Sequence, residues 1–307
     1  MAITVTHTRV RWTSQHGVQV APKQADGKLP YSGDYAASNG WTDIRYFYVD
    51  FKNYEMDIVI KPDHTVPQIA SDAGAELAIN GPFSYNVRPI GFIVKDGKLI
   101  NDTVSAEKWA DFILYQDHSM KVDQLNRNAL QGIKIAFSST PQLVKNGKIY
   151  VNTAGEGTPP DVYANRRPRT GLGFTQDQRL LVIVVDGDST WDAGLRVDEL
   201  AAVMIYLGAV EALNADGGES SVMVQYGQPI SANKDQRKLG AAILFHPKTS
   251  PADLYPPNTP QWKIDSVEWM YDEGLLTDPA WKKTIDQALP LWAVAIVLRK
   301  LYEKLKP

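Results

Sequence analysis

Apolar residues along most of this chain fall into short runs or alternate with polar ones, a pattern that predicts strands rather than long helices. Ile44 to Phe51 (I-R-Y-F-Y-V-D-F) is aromatic and β-branched. Met56, Ile58 and Ile60 alternate with Asp57, Val59 and Lys61. Leu180 to Val185 (L-L-V-I-V-V) has no polar alternation at all, as expected of a central strand covered on both faces. Further strands are expected at Leu77 to Ile79, Gly171 to Phe174 and Ala241 to Phe245. Hairpins are expected across Asp96-Gly97 and Asn146-Gly147, pairs that suit tight turns. Helical spacing is sparse. Val66 to Gly74 reads as a short helix. Val197, Leu200, Ala201 and Met204 define a second that stops at Gly208, with Asp198 and Glu199 in the first turn, where the dipole favours negative charge. Segments 22–40 and 155–168 read as loops.

Beyond residue 246 the pattern changes. Residues 247–260 contain five prolines and read as a linker. After them, Ile264, Val267, Met270 and Tyr271 form one helical stripe, and Leu291, Val294, Ala295, Leu298, Leu301, Tyr302 and Leu305 another. The expected organisation is a main domain over 1–246, a Pro-rich linker over 247–260 and a helical hairpin module over 261–307. The expected fold class is α+β, or mixed α/β: a twisted mixed sheet with few helices plus the small C-terminal helical module.

Composition narrows the function. A net charge of −3 over 307 residues gives no general pull towards nucleic acid or an anionic membrane. The absence of cysteine removes disulfides, thiol nucleophiles and Cys-ligated metals. The five histidines are scattered without zinc-site spacing, which leaves carboxylates as the natural acid–base groups. The longest apolar run, Leu289 to Leu298, is about half of the ~20 residues that a membrane helix needs. The N-terminus shows no signal-peptide pattern, so a cytoplasmic location is expected, in the host or in a virion if the protein is phage-encoded.

Polar chemistry concentrates between Glu211 and Gln225 (E-A-L-N-A-D-G-G-E-S-S-V-M-V-Q), which reads as strand, tight turn, strand. An ordinary hairpin would need the same Asp-Gly pair. A site would use Asn214, Asp216, Glu219, Ser220 and Ser221 around Gly217 and Gly218, where two glycines let backbone approach a ligand. The buried strand 180–185 also ends in Asp186-Gly187, the position at which open α/β sheets place ligands. The helix between these two strand ends could bring Asp186 and Asp216 to one edge of one sheet. The basic run Arg166, Arg167, Arg169 is either a solvated loop or an anion clamp, since guanidinium forks match phosphate oxygens in pairs.

Four segments together resemble the phosphodiester glycosidase family. They are A-I-N-G-P-F at 78–83, R-T-G-L-G at 169–173, V-V-D-G at 184–187 and N-A-D-G-G-E-S-S at 214–221. The likeness covers roughly residues 40–246. The chain departs from the family pattern at Pro82, at Gly171 (usually Ala) and at Glu219 (usually Gly). From Trp262 onward the tail is similar to a single S-layer-homology repeat, which implies attachment to a cell-wall polymer.

The resemblance implies a hydrolase that cleaves the glycosidic bond of a sugar-1-phosphodiester, a sugar-phosphate or nucleotide-sugar-like substrate. Asp216 or Asp186 is then the carboxylate at the sugar. Arg169 is the phosphate ligand, with Arg237 a second candidate and Thr170 beside it in the motif. The amides of Gly217 and Gly218 and the hydroxyls of Ser220 and Ser221 would form an anion nest. Asn80 and Asn214 would orient sugar hydroxyls or position the carboxylates. Glu219 would alter substrate choice or remove activity. No cofactor is required, although paired Asp and Ser side chains leave a divalent cation as an alternative to metal-free chemistry. The rival reading is non-hydrolytic binding of a phosphorylated sugar or nucleotide-like ligand on the same scaffold.

Overall fold

The strand Leu180–Val185 lies inside the largest sheet, where all six of its apolar side chains are buried and both of its faces are covered. A computed structural model describes residues 3–103, 106–232, 237–248 and 254–305. The chain divides into two compact units, Met1–Pro247 and Lys248–Pro307.

The first unit is built on an eight-stranded sheet. Its order is Lys148–Ile149, Gln142–Lys145, Ala209–Asn214, Arg169–Thr175, Leu180–Val185, Thr42–Val49, Thr6–Thr13 and Gly17–Val20. Leu181, Ile183 and Val185 point to one face, where they meet Leu200, Ala201 and Met204 of the helix Val197–Tyr206. Leu180, Val182 and Val184 point to the other face, into a core shared with two five-stranded sheets. This is the period-2 alternation of a strand with apolar residues at every position. Each such side chain contributes about 1.5–3 kcal/mol on burial.

One five-stranded sheet runs Gln228–Pro229, Met223–Gln225, Leu77–Asn80, Ala241–Pro247 and Tyr54–Ile60. Its outer face is closed by the helix Val66–Asp72 through Val66, Ile69 and Ala70. That helix starts at a reciprocal cap between Thr65 and Gln68 and is followed by Gly74 at φ +62°, the stop that the sequence anticipates. The other sheet runs Met120–Asp123, Ala110–Tyr115, Ile133–Ser139, Ile93–Lys95 and Lys98–Asn101. A two-stranded ribbon, Ser84–Tyr85 with Arg88–Pro89, stands apart from these sheets.

Fold class and most elements are as the pattern predicts, and the turns at Asp96-Gly97 and Asn146-Gly147 are tight hairpins with positive φ at both residues. Two differences matter. Every strand pairing among the described residues is antiparallel. The stretch 211–225 is not a hairpin. Ala209–Asn214 belongs to the eight-stranded sheet and Met223–Gln225 to a five-stranded one, so the Asp216 turn carries the chain from one layer to another. The loop 155–168 also contains single helical turns, Thr153–Glu156 and Pro160–Tyr163, the first capped by Asn152 and ended by Gly157.

The second unit holds the helices Gln261–Asp272 and Leu291–Leu305 with a 3₁₀ segment, Pro279–Thr284, between them. Ile264, Leu275, Leu276 and Ala293 are buried in it. Lys282 pairs with Glu268 at 2.7 Å, and the Trp281 and Trp292 rings meet at 6.2 Å.

Candidate functional site

Antiparallel pairing fixes where the candidate residues converge. Leu180–Val185 and Ala209–Asn214 both pair antiparallel with Arg169–Thr175, which lies between them. They therefore run in the same direction and end at one edge of the sheet. That edge collects Asp186, Asp216 and the start of the middle strand, Arg169. The end of Leu77–Asn80, from the neighbouring sheet, reaches the same place, because the Asn80 amide donates to the Asp216 carbonyl at 2.8 Å.

A cavity of about 610 Å³ opens here, lined among others by Asp216, Gly217, Gly218, Glu219, Ser220, Arg167, Arg169 and Arg237. The Asp216 carboxylate accepts from the Ser220 hydroxyl and the Gly217 amide. Burial nevertheless dominates and pushes its carboxyl up to about 6, with Ser220, Gly217 and the Arg237 charge pulling the other way. A carboxyl titrating there is ionised at neutral pH yet close to its protonated form, the range suited to proton transfer.

Arg169 is only 2% exposed. Its guanidinium donates to three main-chain carbonyls: Leu195 at 2.9 Å, Asn165 at 2.7 Å and Val162. Burial, followed by the neighbouring Arg167 charge, pushes its pKa down to about 10, so it stays charged at neutral pH. No carboxylate among the described residues forms an ion pair with it. Its Nη1 atom also lies beside Gly217, 3.5 Å from where a Cβ on that residue would sit. A Cβ there would touch the guanidinium at an ordinary contact distance and meet the Pro168 carbonyl more tightly, at 3.3 Å.

The basic run separates in space. Arg166 turns away to grip Glu199 of the helix Val197–Tyr206 with two nitrogens, at 2.7 and 3.0 Å. Glu199 also accepts from the Arg196 amide at 3.0 Å, so the acidic first turn has the helix-end role expected of it. Arg167 lines the cavity and lies 3.5 Å from Asp188, both side chains being exposed. Arg237 pairs with Glu219 at 3.0 Å and donates to the Ser220 hydroxyl at 3.3 Å.

Several predicted residues sit near this cavity without facing it. Asn80 and Thr170 are fully buried, and the Thr170 hydroxyl donates to the Asn80 Oδ1 atom at 2.7 Å. The same oxygen accepts from the Val222 amide at 3.2 Å. Asn80 thus holds both ends of the Asp216 turn. Asn214 donates to the Thr140 carbonyl at 2.8 Å, and its amide oxygen and the Ser221 hydroxyl are buried without a partner. Asp186 is 1% exposed, pairs with Arg45 and accepts from the Ala232 amide at 2.8 Å. Burial raises its pKa while Arg45 lowers it. It shares the sheet edge with Asp216 but does not line the cavity.

The two glycine amides of the expected anion nest are both engaged within the protein. The Gly218 amide donates to the Pro168 carbonyl at 2.8 Å, the Ser220 amide to Gly217 and the Ser221 amide to Gly218. The Gly217 amide serves Asp216 itself. The first three bonds hold the turn, and the carboxylate itself is held by the Gly217 amide and the Ser220 hydroxyl. The departure at Gly171 also has a packing cause. A Cβ there would meet the Met204 sulfur at 2.9 Å and the Ile183 Cγ2 at 3.1 Å, on the helix side of the sheet and not in the cavity.

Sequence reading misses the aromatic wall. Phe83, Tyr85 and Trp109 line the cavity. The Phe83 and Trp109 rings meet edge to face at 5.5 Å, and Tyr85 is 72% exposed on the small ribbon. Asp161, an exposed carboxylate on the helical turn Pro160–Tyr163, also lines it. A large exposed tyrosine next to N-G-P-F was the available signal. Trp109 gave none, because it is 26 positions away from Phe83. Among the described residues no group of three or more His, Asp or Glu side chains is placed to hold a metal ion, and no helix is long and apolar enough to cross a membrane.

Comparison with known proteins finds relatives in sequence and in fold. Mouse N-acetylglucosamine-1-phosphodiester alpha-N-acetylglucosaminidase is 26% identical over 214 residues, covering 62% of this chain and 41% of the mouse protein. The SPbeta prophage-derived protein YomE of Bacillus subtilis is 28% identical over 179 residues, covering 56% of this chain and 27% of that one. The chain thus matches about two fifths of the length of the mammalian relatives. Among solved structures, the zebrafish N-acetylglucosamine-1-phosphodiester alpha-N-acetylglucosaminidase catalytic domain, auto-inhibited by its pro-peptide, superposes with a TM-score of 0.60 at 16% identity, over 80% of this chain and 84% of that one. A hypothetical protein from Synechocystis gives 0.54 at 13% identity, over 80% and 68%. At these identities the structural likeness concerns the fold alone. Residues 73–246 match the phosphodiester glycosidase family as a whole, and it is to this family that the chain belongs.

Proposed function

We propose that the protein hydrolyses the glycosidic bond of a sugar-1-phosphodiester in this cavity. The observation that carries the reading is a half-buried carboxylate, Asp216, held by Ser220 and Gly217 in the same cavity as Arg169, a buried cation that forms no ion pair with a carboxylate among the described residues. Burying a charge is costly, and an anionic ligand would relieve part of that cost. The phosphate is the natural anion. The Phe83 and Trp109 rings offer an apolar surface to the C–H face of a sugar.

In the reaction the bond between the anomeric carbon and the phosphate oxygen breaks, and its electron pair leaves on that oxygen. Arg169 stabilises the charge that accumulates there. A new bond to the anomeric carbon comes from a water oxygen, whose proton Asp216 accepts, or from Asp216 itself before water replaces it. The configuration of the released sugar decides between these routes: inverted for the first, retained for the second. Asn80 and Thr170 position the Asp216 turn. Asp186 anchors the main chain at Ala232.

The test is release of free sugar from a panel of sugar-1-phosphodiesters, with and without chelator, beside Asp216→Asn. Sugar from the wild type alone supports the reading. Equal release by Asp216→Asn removes that residue from the mechanism, and retention of an intact ligand without turnover favours the non-hydrolytic binding reading. For residues 261–307 we keep the attachment role implied by the sequence resemblance, supported by the exposed Trp262, Trp269 and Trp292. Cell-wall pull-down that survives deletion of this segment refutes it.

A further inference from the structure

One polar side chain that lines the cavity has no structural task. Asp161 lies on the helical turn Pro160–Tyr163. A carboxylate in a first turn commonly caps backbone amides or pairs with a cation. Asp161 does neither. The turn has no side-chain cap, and Asp161 is exposed, with no hydrogen bond or ion pair among the described residues. The segment that carries it is nevertheless held on both sides. Upstream, the buried Glu156 carboxylate accepts from the Gln142 amide and the Thr140 hydroxyl, each at 3.0 Å. The Thr140 and Thr158 hydroxyls meet at 2.6 Å. Pro159 and Pro160 then fix the φ angles of the two residues before Asp161. Downstream, the Arg169 guanidinium donates to the Val162 and Asn165 carbonyls. Asp161 is thus presented to the cavity from a fixed backbone, and the same arginine that serves the phosphate holds that backbone.

We propose that Asp161 reads the sugar: its carboxylate accepts hydrogen bonds from ring hydroxyls of the glycosyl group and so sets which sugar the cavity takes. This deepens the proposed function and rests on its placement of a glycosyl phosphodiester in the cavity. The second observation is the aromatic pair. Phe83 and Trp109 line the same space with their rings edge to face at 5.5 Å. Aromatic rings and an unpaired carboxylate are complementary to the two surfaces of a sugar, its C–H face and its hydroxyl edge. A carboxylate offers about four lone-pair sites, enough to accept from two neighbouring hydroxyls. Asp161 takes no proton and forms no bond in the reaction; it is a specificity residue. Because its side chain is exposed and unpaired, its removal leaves the fold in place.

The experiment measures binding by ligand-observed NMR. The probes are methyl esters of gluco-, galacto- and manno-configured C-glycosyl methylphosphonates, in which a methylene replaces the glycosidic oxygen so that nothing is hydrolysed. Methyl ethylphosphonate, with the same anionic group and no hydroxyl, is the control. The wild type should prefer one glycosyl probe over the control. Asp161→Ala should reduce that preference by about tenfold or more, the worth of a hydrogen bond to a charged group. Its affinity for the control should stay within about threefold, since an exposed charge acts on a distant anion only through screening solvent. Monodeoxy analogues of the preferred probe then identify the hydroxyl: removing the one that Asp161 reads should abolish most of the difference between wild type and variant. An equal loss on probe and control overturns the inference, as does a difference that survives the removal of each hydroxyl in turn. A wild type with no preference for any glycosyl probe also overturns it. Sugar release that Asp161→Ala leaves unchanged for every sugar-1-phosphodiester would remove the inference and keep hydrolysis. Asp161-dependent binding without any sugar release would remove hydrolysis and keep the inference.

Discussion

Asn80→Ala is the change that tests how the Asp216 turn is held. The Asn80 amide nitrogen donates to the Asp216 carbonyl at 2.8 Å, with a marginal contact to Gly81 at 3.4 Å. Its oxygen accepts from the Thr170 hydroxyl at 2.7 Å and the Val222 amide at 3.2 Å. Thr170 and Val222 are buried, so water cannot replace these bonds at no cost. The threonine hydroxyl can rotate, but two main-chain groups, the Asp216 carbonyl and the Val222 amide, are fixed. At about 1–3 kcal/mol for each stranded buried group, the loss should be roughly 3 kcal/mol. For a unit of this size about 1 kcal/mol moves the melting temperature by about 2–4 °C, which predicts a fall of roughly 6–12 °C.

Differential scanning fluorimetry and urea unfolding measure the stability, and sugar release at saturating substrate measures turnover. Thr170→Val removes one of the same bonds and should cost about 1 kcal/mol. The double variant should cost less than the sum, because both residues serve one network. Asn80→Asp keeps the shape but sets a carboxylate against the Asp216 carbonyl, and should lose turnover at neutral pH even where it folds. A stability loss below about 1 kcal/mol in Asn80→Ala, with turnover intact, would show that the turn does not depend on this amide.

The Asp216 carboxyl is pushed from 3.8 to about 6 by burial, so kcat should fall as pH drops through about 6 and be flat above it; a profile flat down to pH 4 would contradict its role. The folded carboxyl binds its proton more tightly than the unfolded one, so its contribution to stability is present below about pH 4 and lost as pH rises through about 6. Asp216→Asn should therefore be more stable than wild type at pH 8, by up to about 3 kcal/mol, with the difference gone at pH 4 in thermal melts. Gly171→Ala should destabilise by about 1–3 kcal/mol through overpacking, because the new methyl meets Met204 and Ile183; Met204→Ala should rescue it, and turnover per folded molecule should change little. Arg9→Leu should cost about 3–5 kcal/mol, since Arg9 is fully buried between Asp43 at 2.7 Å and Asp192 at 2.9 Å; urea midpoints of the two proteins check it.

What the sequence made legible was governed by local rules. The six-residue apolar run 180–185 is buried throughout because no arrangement could leave one face of it in water. The helix 66–72 follows from Val66, Ile69 and Ala70 on one face, with Gly74 after its end. The Asp216 turn was visible as a concentration of polar groups. Its layer-crossing path was not, because pairing partners lie far away in sequence: Met223 pairs with Ile79, and Leu213 with Leu172. Gly217 and Gly218 suggested a nest on local grounds, but the Pro168 carbonyl that claims the Gly218 amide is 50 positions away. The aromatic wall was hidden for the same reason. Trp109 joins Phe83 only after two sheets have formed.

Asp186 and Asp216 show where reading by motif ends. Both follow an apolar strand, both precede glycine, and both lie at the same edge of the same sheet. The difference lies in what the neighbouring strand presents. Asp186 ends a strand paired with Thr42–Val49, and that strand supplies Arg45 as a partly buried counter-ion. Gly187 packs too closely against the Pro168 and Gly194 main chain to admit a Cβ. Its carboxylate is thus enclosed and compensated. Asp216 follows a strand whose neighbours at that end are Thr140–Pro141 and Thr170, neither of which carries a charge. Its carboxylate is left to Ser220 and Gly217, with Arg237 acting at a distance. An aspartate neutralised by its own sheet is held as structure, whereas one whose charge the sheet leaves uncompensated can give it to a substrate. Arg45→Leu should therefore affect stability well before the chemistry, and Asp216→Asn the reverse.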